Sequence, residues 1–235
     1  MSKKNIGFVI LVGLILFCAL VGIVTNINAS NKKITANERI FPITDESFLR
    51  IIKPTSSDLA IGSADAAVDI IFYGSMSCYH CADFMKNHLD KIKPYTNSGK
   101  VRFVYRGVVS DKLSFMATKI VKCAKELSTD ERLKLIKLLY STQASWISSS
   151  EENTQNSLVK IVANVGISAE KSKKCLTDVF LEKDIVNEQI FISKNLNITG
   201  TPVIIVGKTR INGYVDYDVL QGVIESELNN ANGVK

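Results

Sequence analysis

The sequence predicts an α/β fold that is interrupted by an inserted α-helical bundle and preceded by one N-terminal transmembrane or signal helix. Three observations carry this prediction. The apolar, β-branched run Ile70-Ile71-Phe72-Tyr73 is followed by helix-period residues and then by a second strand-period segment. Residues 110–195 show only helical periodicity before strand signals return at Val203. Residues 6–24 are apolar apart from small Gly and Cys and follow Lys3 and Lys4.

The N-terminal run comes first. Its nineteen residues, at about 1.5 Å of rise each, nearly span a bilayer core. The two lysines hold the N-terminus in the cytoplasm and send the remainder across. An uncleaved anchor and a cleaved signal peptide both fit, since Ile27-Asn28-Ala29 offers a small residue at a cleavage point. Cys18 lies mid-run after bulky Phe17, which argues against a lipoprotein. Either way the body is expected to be exported. Residues 1–25 are thus assigned to the anchor or signal peptide, and residues 26–57, polar and rich in Asn and Lys at first, to a tether and lead-in that includes a short amphipathic piece at Asp45–Ile52.

Residues 58–109 form the first half of the α/β unit. Asp58 to Ala67 reads as turn-rich, and Val68 to Tyr73 as a buried strand ended by Gly74-Ser75. From Cys78 the apolar residues Phe84, Met85, Leu89 and Ile92 recur at helical spacing until Lys93-Pro94 is expected to stop the run. After the Asn97-Ser98-Gly99 turn, Lys100 to Arg106 alternates with period two. A β-α-β order implies parallel pairing through a right-handed crossover.

Residues 110–195 carry four stripes, each headed by Met116, Leu135, Leu158 or Cys175, with breaks near Ser128-Thr129-Asp130, Ser148 to Ser150 and Gly166 to Ser168. They predict four or five short helices. Residues 196–235 return to the sheet: Val203 to Val206, a Gly207-Lys208 turn, Thr209 to Tyr214, and a closing amphipathic helix from Tyr217 to Leu228.

The motif Cys78-Tyr79-His80-Cys81 sits where a strand hands over to a helix. Unpaired backbone N–H groups and the positive dipole end there favour an anion, which for cysteine means thiolate. Structural disulfide and zinc readings stand beside a redox one. Zinc would want a second ligand pair, whereas Cys123 and Cys175 are single and 52 positions apart. Covalent haem needs His directly after the second cysteine, and Ala82 stands there. Cys123 and Cys175 lie on apolar stripes, as buried thiols or as a bonded pair. His88 reads as a surface or packing residue, Trp146 as core, and Lys171, Lys173 and Lys174 as a solvated face.

Net charge is +6, but Lys3, Lys4, Lys32 and Lys33 fall in a segment without Asp or Glu, so 6 − 4 leaves +2 for the body. No basic stripe interleaves with aromatics, so nucleic acid is not an expected partner.

Taken together, the order of elements, Cys78-x-x-Cys81, Thr199-Gly200-Thr201-Pro202 and the segment Gly213-Tyr214-Val215-Asp216-Tyr217 resemble the thioredoxin fold. The helical insertion, and Ile61-Gly62-Ser63-Ala64-Asp65-Ala66-Ala67-Val68 leading into the strand, are similar to the DsbA-type branch of thiol–disulfide oxidoreductases. The resemblance covers roughly residues 58–230 and implies roles. Cys78 would be the exposed attacking thiol and Cys81 the buried resolving one. His80 would stabilise the Cys78 thiolate, lowering its pKa into a range of roughly 3.5 to 7.5. Thr201 and Pro202, with a cis bond between them, would form the loop that pairs with substrate, and Tyr79 would be a substrate contact. Cys123 and Cys175 would form a second, structural disulfide. No cofactor is implied.

Three positions depart from the family's pattern. Tyr79 replaces a proline, Phe72 replaces a buried glutamate, and Thr201 replaces a valine common in strongly oxidising members. The expected function is an exported oxidoreductase that introduces disulfides into reduced or misoxidised exported proteins. It would work in the periplasm, tethered to the inner membrane if the N-terminal helix is uncleaved, with a membrane redox partner reoxidising it. An isomerase or reductase of the same fold, and a chaperone or binding module with incidental cysteines, remain the alternatives.

Overall fold

A computed structural model describes residues 35–233; the expected N-terminal transmembrane or signal helix and the first part of the tether lie outside the described residues. The chain divides into two units, residues 1–38 and 39–235, and the elements below belong to the second. No helix among the described residues is long and apolar enough to cross a membrane.

The unit opens with strand β1 (Ile40–Pro42), helix α1 (Glu46–Ile52) and strand β2 (Leu59–Ile61). Strand β3 (Val68–Gly74), helices α2 (Tyr79–Asn87) and α3 (Leu89–Asn97) and strand β4 (Val101–Gly107) follow. Next come α4 (Lys112–Cys123), α5 (Thr129–Ser141), α6 (Gln143–Trp146), α7 (Glu151–Ala163), α8 (Ala169–Thr177) and α9 (Val179–Leu196). Strands β5 (Val203–Val206) and β6 (Thr209–Asn212) and helix α10 (Tyr217–Gly233) close it. The six strands form one sheet in the order β1-β6-β5-β3-β4-β2.

Strand β3 is central because its side chains suit a site covered on both faces. Ile70 and Phe72 face one hydrophobic cluster together with Phe103, Tyr105, Ile204 and Val206. The alternate residues Ile71 and Tyr73 face a second, with Val104, Val203, Ile205, Ile52 of α1 and Ile192 and Leu196 of α9. A continuous apolar run is what period-two alternation becomes when neither face meets water. β3 pairs parallel with β4 and antiparallel with β5. The Phe72 ring is fully buried and stacks on Phe84 of α2 at 4.5 Å, pinning that helix to the sheet.

Several expectations are corrected. The turn-rich stretch after Asp58 contains β2, which pairs antiparallel with β4. The end of the tether segment is β1, paired with β6. The second hairpin strand stops at Asn212 rather than Tyr214. Pro94 does not stop a helix but lies inside α3. The break falls at His88, which ends α2 and caps α3. Proline in a helix interior costs about 3 kcal/mol, and burial of Leu89, Ile92 and Thr96 on the same helix offsets it. Residues 110–195 hold six helices, and the last, with 18 residues, is not short.

His88 is buried, 1% exposed, and its Nε2 lies 2.7 Å from the Val215 carbonyl oxygen, so the surface reading is wrong and the packing reading stands. Trp146 is fully buried and donates its indole N–H to the Leu139 carbonyl at 2.7 Å. Cys123 of α4 and Cys175 of α8 are joined by a disulfide, their Cα atoms 5.8 Å apart. Under the sheet, Arg106 grips Asp58 through Nε and Nη2 at 2.8 and 2.9 Å and donates to the Tyr73 hydroxyl at 2.7 Å.

Candidate active site

After Gly74 the chain leaves the sheet between α2 and the loop following β4. Cys78 has extended backbone angles and is the N-cap of α2, its sulfur accepting from the Cys81 N–H at 3.3 Å. A cap must present an acceptor to the first unpaired N–H groups of a helix, and a thiolate satisfies that requirement. Cys78 is partly exposed, Cys81 is fully buried, and both are free thiols.

The second half of the fold completes the site from a distance of more than a hundred residues. The Thr201–Pro202 peptide bond is cis. Its loop brings the Thr201 carbonyl oxygen to 3.3 Å from the Cys78 sulfur. Beside it lies a groove of about 560 Å³ lined by residues that include Phe41, Thr199, Thr201, Val203 and Arg210.

The two thiols are driven in opposite directions. Hydrogen bonding from the Cys81 side chain, then Thr201 and the backbone N–H groups of Cys81 and His80, outweighs burial and lowers Cys78 from 9.0 to about 6. Burial first, then the Cys78 side chain and charge, pushes Cys81 far above the ordinary thiol range. One sulfur is therefore an anion at neutral pH and its neighbour a protonated thiol.

His80 enters this balance through its backbone N–H; its imidazole is exposed and stacks on Tyr214 with centroids 6.2 Å apart. Tyr79 is 69% exposed and its ring meets the edge of His80. Cys78, Cys81, Thr201 and Pro202 thus converge, while Tyr79 and the His80 ring line the rim.

Sequence reasoning missed one residue at the centre. Gln143, at the start of α6, donates its side-chain amide to the Met76 carbonyl at 2.7 Å and the Cys78 carbonyl at 3.1 Å. It ties the inserted helices to the motif. Nothing in its spacing announces that role, because the partners are backbone atoms. Among the described residues, no group of three or more His, Cys, Asp or Glu is placed to hold a metal ion.

The family model described as thioredoxin matches residues 55–226, most of the chain. The chain belongs to the thioredoxin family. Among thioredoxin-fold structures, alpha-DsbA1 of Wolbachia pipientis superposes with a TM-score of 0.71 at 23% identity, covering 77% of this chain and 96% of that one. BdbD of Bacillus subtilis, in its oxidised form, superposes with a TM-score of 0.64 at 24% identity over 73% of this chain and 93% of that one. A Rickettsia bellii protein, provisionally named a protein-disulfide oxidoreductase, is 23% identical over 171 residues, which are 72% of this chain and 64% of the relative. Disulfide bond formation protein D of Bacillus subtilis is 25% identical over 72% of this chain and 76% of its own length. The Rickettsia relatives are longer: the matched region spans 64% of one and 62% of the next.

Proposed function

We propose that the chain is an exported thiol–disulfide oxidoreductase that introduces disulfides into proteins through Cys78 and Cys81. The observation that carries this is the split between the two thiols, one lowered to about 6 and the other raised by burial, at a helix N-terminus beside the Thr201–Pro202 loop. A substrate thiolate attacks the Cys78 sulfur of the Cys78–Cys81 disulfide; a mixed disulfide forms, and the electron pair leaves on Cys81. The substrate's second thiolate attacks the substrate sulfur of that mixed disulfide and expels Cys78 as thiolate. The substrate is oxidised by two electrons, and the pair is left reduced. Its return to the disulfide requires an electron acceptor, in this reading a membrane redox partner.

Within the same reading, the Thr201–Pro202 loop and the groove beside it take an extended segment of the client, and exposed Tyr79 contacts it. The lysine-led apolar run of residues 6–24 supports export to the periplasm, with tethering to the inner membrane if that run is uncleaved. The Cys123–Cys175 bond acts as a structural staple of the inserted helices.

Direction follows from the reduction potential. Lowering Cys78 from 9.0 to about 6 stabilises the reduced form. At pH 7 that amounts to about 1.4 kcal/mol, or about 30 mV for a two-electron couple. Thioredoxin and DsbA differ by about 150 mV, so the thiolate alone decides only a fraction of the difference. The test is therefore the potential in glutathione buffers, with refolding of one reduced and one scrambled disulfide protein. A potential near that of DsbA and oxidation of the reduced protein are expected. Activity confined to the scrambled protein would replace the oxidase by the isomerase reading. Unchanged client maturation by Cys78→Ser would remove the enzyme reading and leave a binding module.

A further inference from the structure

Helix α9 is apolar on two sides, and the described fold covers one of them. Leu181, Ile185, Ile192 and Leu196 are buried. On the other side stand five of the nine exposed large hydrophobic side chains among the described residues. Val179 and Phe180 are 67% and 80% exposed, and Val186, Ile190 and Phe191 are each nearly half exposed. At 3.6 residues per turn, positions 179, 186 and 190 make one stripe, and Phe180 with Phe191 a second beside it. A helix that is apolar all round is ordinarily buried all round. Half of the cover of α9 is therefore supplied from outside the described residues.

Charge narrows what supplies it. Lys183 and Lys194 lie between the two stripes, both exposed and neither paired with a carboxylate among the described residues. Asp184 stands only at the margin of this face, while Glu182 and Glu188 lie off it and pair with Lys119 and Lys122 of α4. Along the first stripe runs a groove of about 360 Å³, walled by Val109, Phe115, Ile185, Val186 and Ile190, with Lys194 also lining it. Exposed apolar side chains with lysines among them suit the boundary between acyl chains and anionic headgroups, where a lysine stem lies in the apolar layer and its ammonium meets phosphate. A stable protein–protein interface takes about 20–30 residues a side, whereas this face is one helix wide. In the tethered reading a membrane is also within reach. Residues 25–38, between the apolar run and the folded unit, extend to at most about 50 Å.

We propose that this face of α9 lies on the surface of an anionic bilayer; this rests on the exported, membrane-associated reading above. Phe180, Val186, Ile190 and Phe191 enter the headgroup–acyl boundary, and Lys183 and Lys194 reach lipid phosphates. The consequence falls on the site. Gln189, at the edge of the same helix, accepts from the Val109 N–H at 2.9 Å and donates to the Gly107 carbonyl at 3.2 Å. Five residues beyond Leu196 the chain reaches Thr201, whose carbonyl meets the Cys78 sulfur. A helix fixed on the bilayer thus sets the orientation of Cys78 toward a redox partner in the same membrane.

The test uses the full chain carrying Phe180→Trp, reconstituted into vesicles of phosphatidylcholine, alone or mixed with phosphatidylglycerol, with brominated acyl chains as the fluorescence quencher. Trp146 is fully buried, so the wild-type chain supplies the background. The introduced indole should be quenched in the mixed vesicles and much less in phosphatidylcholine alone. Lys183→Gln and Lys194→Gln should each weaken docking by about fivefold, the worth of one lysine at an anionic surface, and high salt should act in the same direction. Equal quenching in the two vesicle types, or lysine variants that change nothing, would overturn the proposal. So would an indole that becomes shielded in detergent as protein concentration rises, the mark of a second copy on this face. A chain washed from the vesicles by high salt yet quenched at low salt keeps the docking face and removes the membrane-spanning run. Disulfide exchange with dithiothreitol in detergent should be the same in the lysine variants as in the wild type. A wild-type chain that exchanges no disulfide removes the oxidoreductase reading and leaves the docking result standing.

Discussion

The sulfur of Cys78 and the carbonyl oxygen of Thr201 lie 3.3 Å apart, although 123 positions of chain separate them. The Cys78 thiol is thus held between the helix it caps and the loop of the opposite half. Alkylation of the reduced protein should follow a single titration with a midpoint near pH 6, where the Cys78 pKa falls, instead of near 9.0. The rate should rise with pH, because the thiolate is the nucleophile. Mass-mapped alkylation from pH 4 to 9 checks this, and Cys81 should stay unmodified throughout. A midpoint above pH 8 would refute it.

The same lowering makes the reduced protein's stability depend on pH. Cys78 has a folded pKa below its unfolded one, so between about pH 6 and 9 the unfolded chain binds the extra proton. Stability then rises with pH across that window, is fully present above 9 and is lost as pH falls through 6. The full drop is worth on the order of 4 kcal/mol. Urea melts of the reduced protein against Cys78→Ala should diverge with rising pH; parallel curves would contradict the assignment.

Gln143→Ala should lower stability by about 1 to 2 kcal/mol, the cost of leaving buried carbonyls short of a donor. Met76 O loses a 2.7 Å bond, whereas Cys78 O keeps the Ala82 N–H at 3.1 Å. The midpoint of urea unfolding should fall with an unchanged slope. Because Gln143 holds the motif's backbone, the Cys78 alkylation midpoint should move as well.

Asp58→Ala should cost on the order of 2 kcal/mol, between an exposed and a fully buried pair, since it leaves a largely buried guanidinium without its carboxylate. Arg106 and Asp58 side chains are only 15% and 13% exposed. Calorimetry or urea melts give the loss, and replacing both partners by apolar residues should recover part of it.

Cys123→Ala with Cys175→Ala should lower stability by about 4 kcal/mol on the chain-entropy account of a loop this long. The bond closes 52 positions between α4 and α8. Disulfide-exchange rate at Cys78 should be unaffected in folded protein, because neither cysteine touches the motif. A loss of exchange without loss of stability would contradict a purely structural bond.

Much of this was legible from the chain itself. The run Val68–Gly74 announces a central strand because burial on both faces selects continuous apolar residues, and Cys78-x-x-Cys81 after a strand break announces a helix N-terminus. Pro94 misled because local proline chemistry was outweighed by burial of Leu89, Ile92 and Thr96 on one helix. β1 and β2 were missed because three-residue edge strands carry too few residues to show period two.

The sequence by itself determined the βαβ core, the position of the Cys78 thiol at a helix N-terminus and the apolar nature of the residues around it, since these follow from periodicity and residue type within one stretch. Only the tertiary structure decided which groups meet the motif: Thr201 O and the Cys81 N–H at the Cys78 sulfur, and Gln143 at the motif's carbonyls. Hydrogen-bond partners depend on where backbone atoms from distant segments meet. His80 shows the limit: residue type places it beside Cys78, but only the fold shows that its backbone N–H favours the thiolate while its exposed ring stacks on Tyr214.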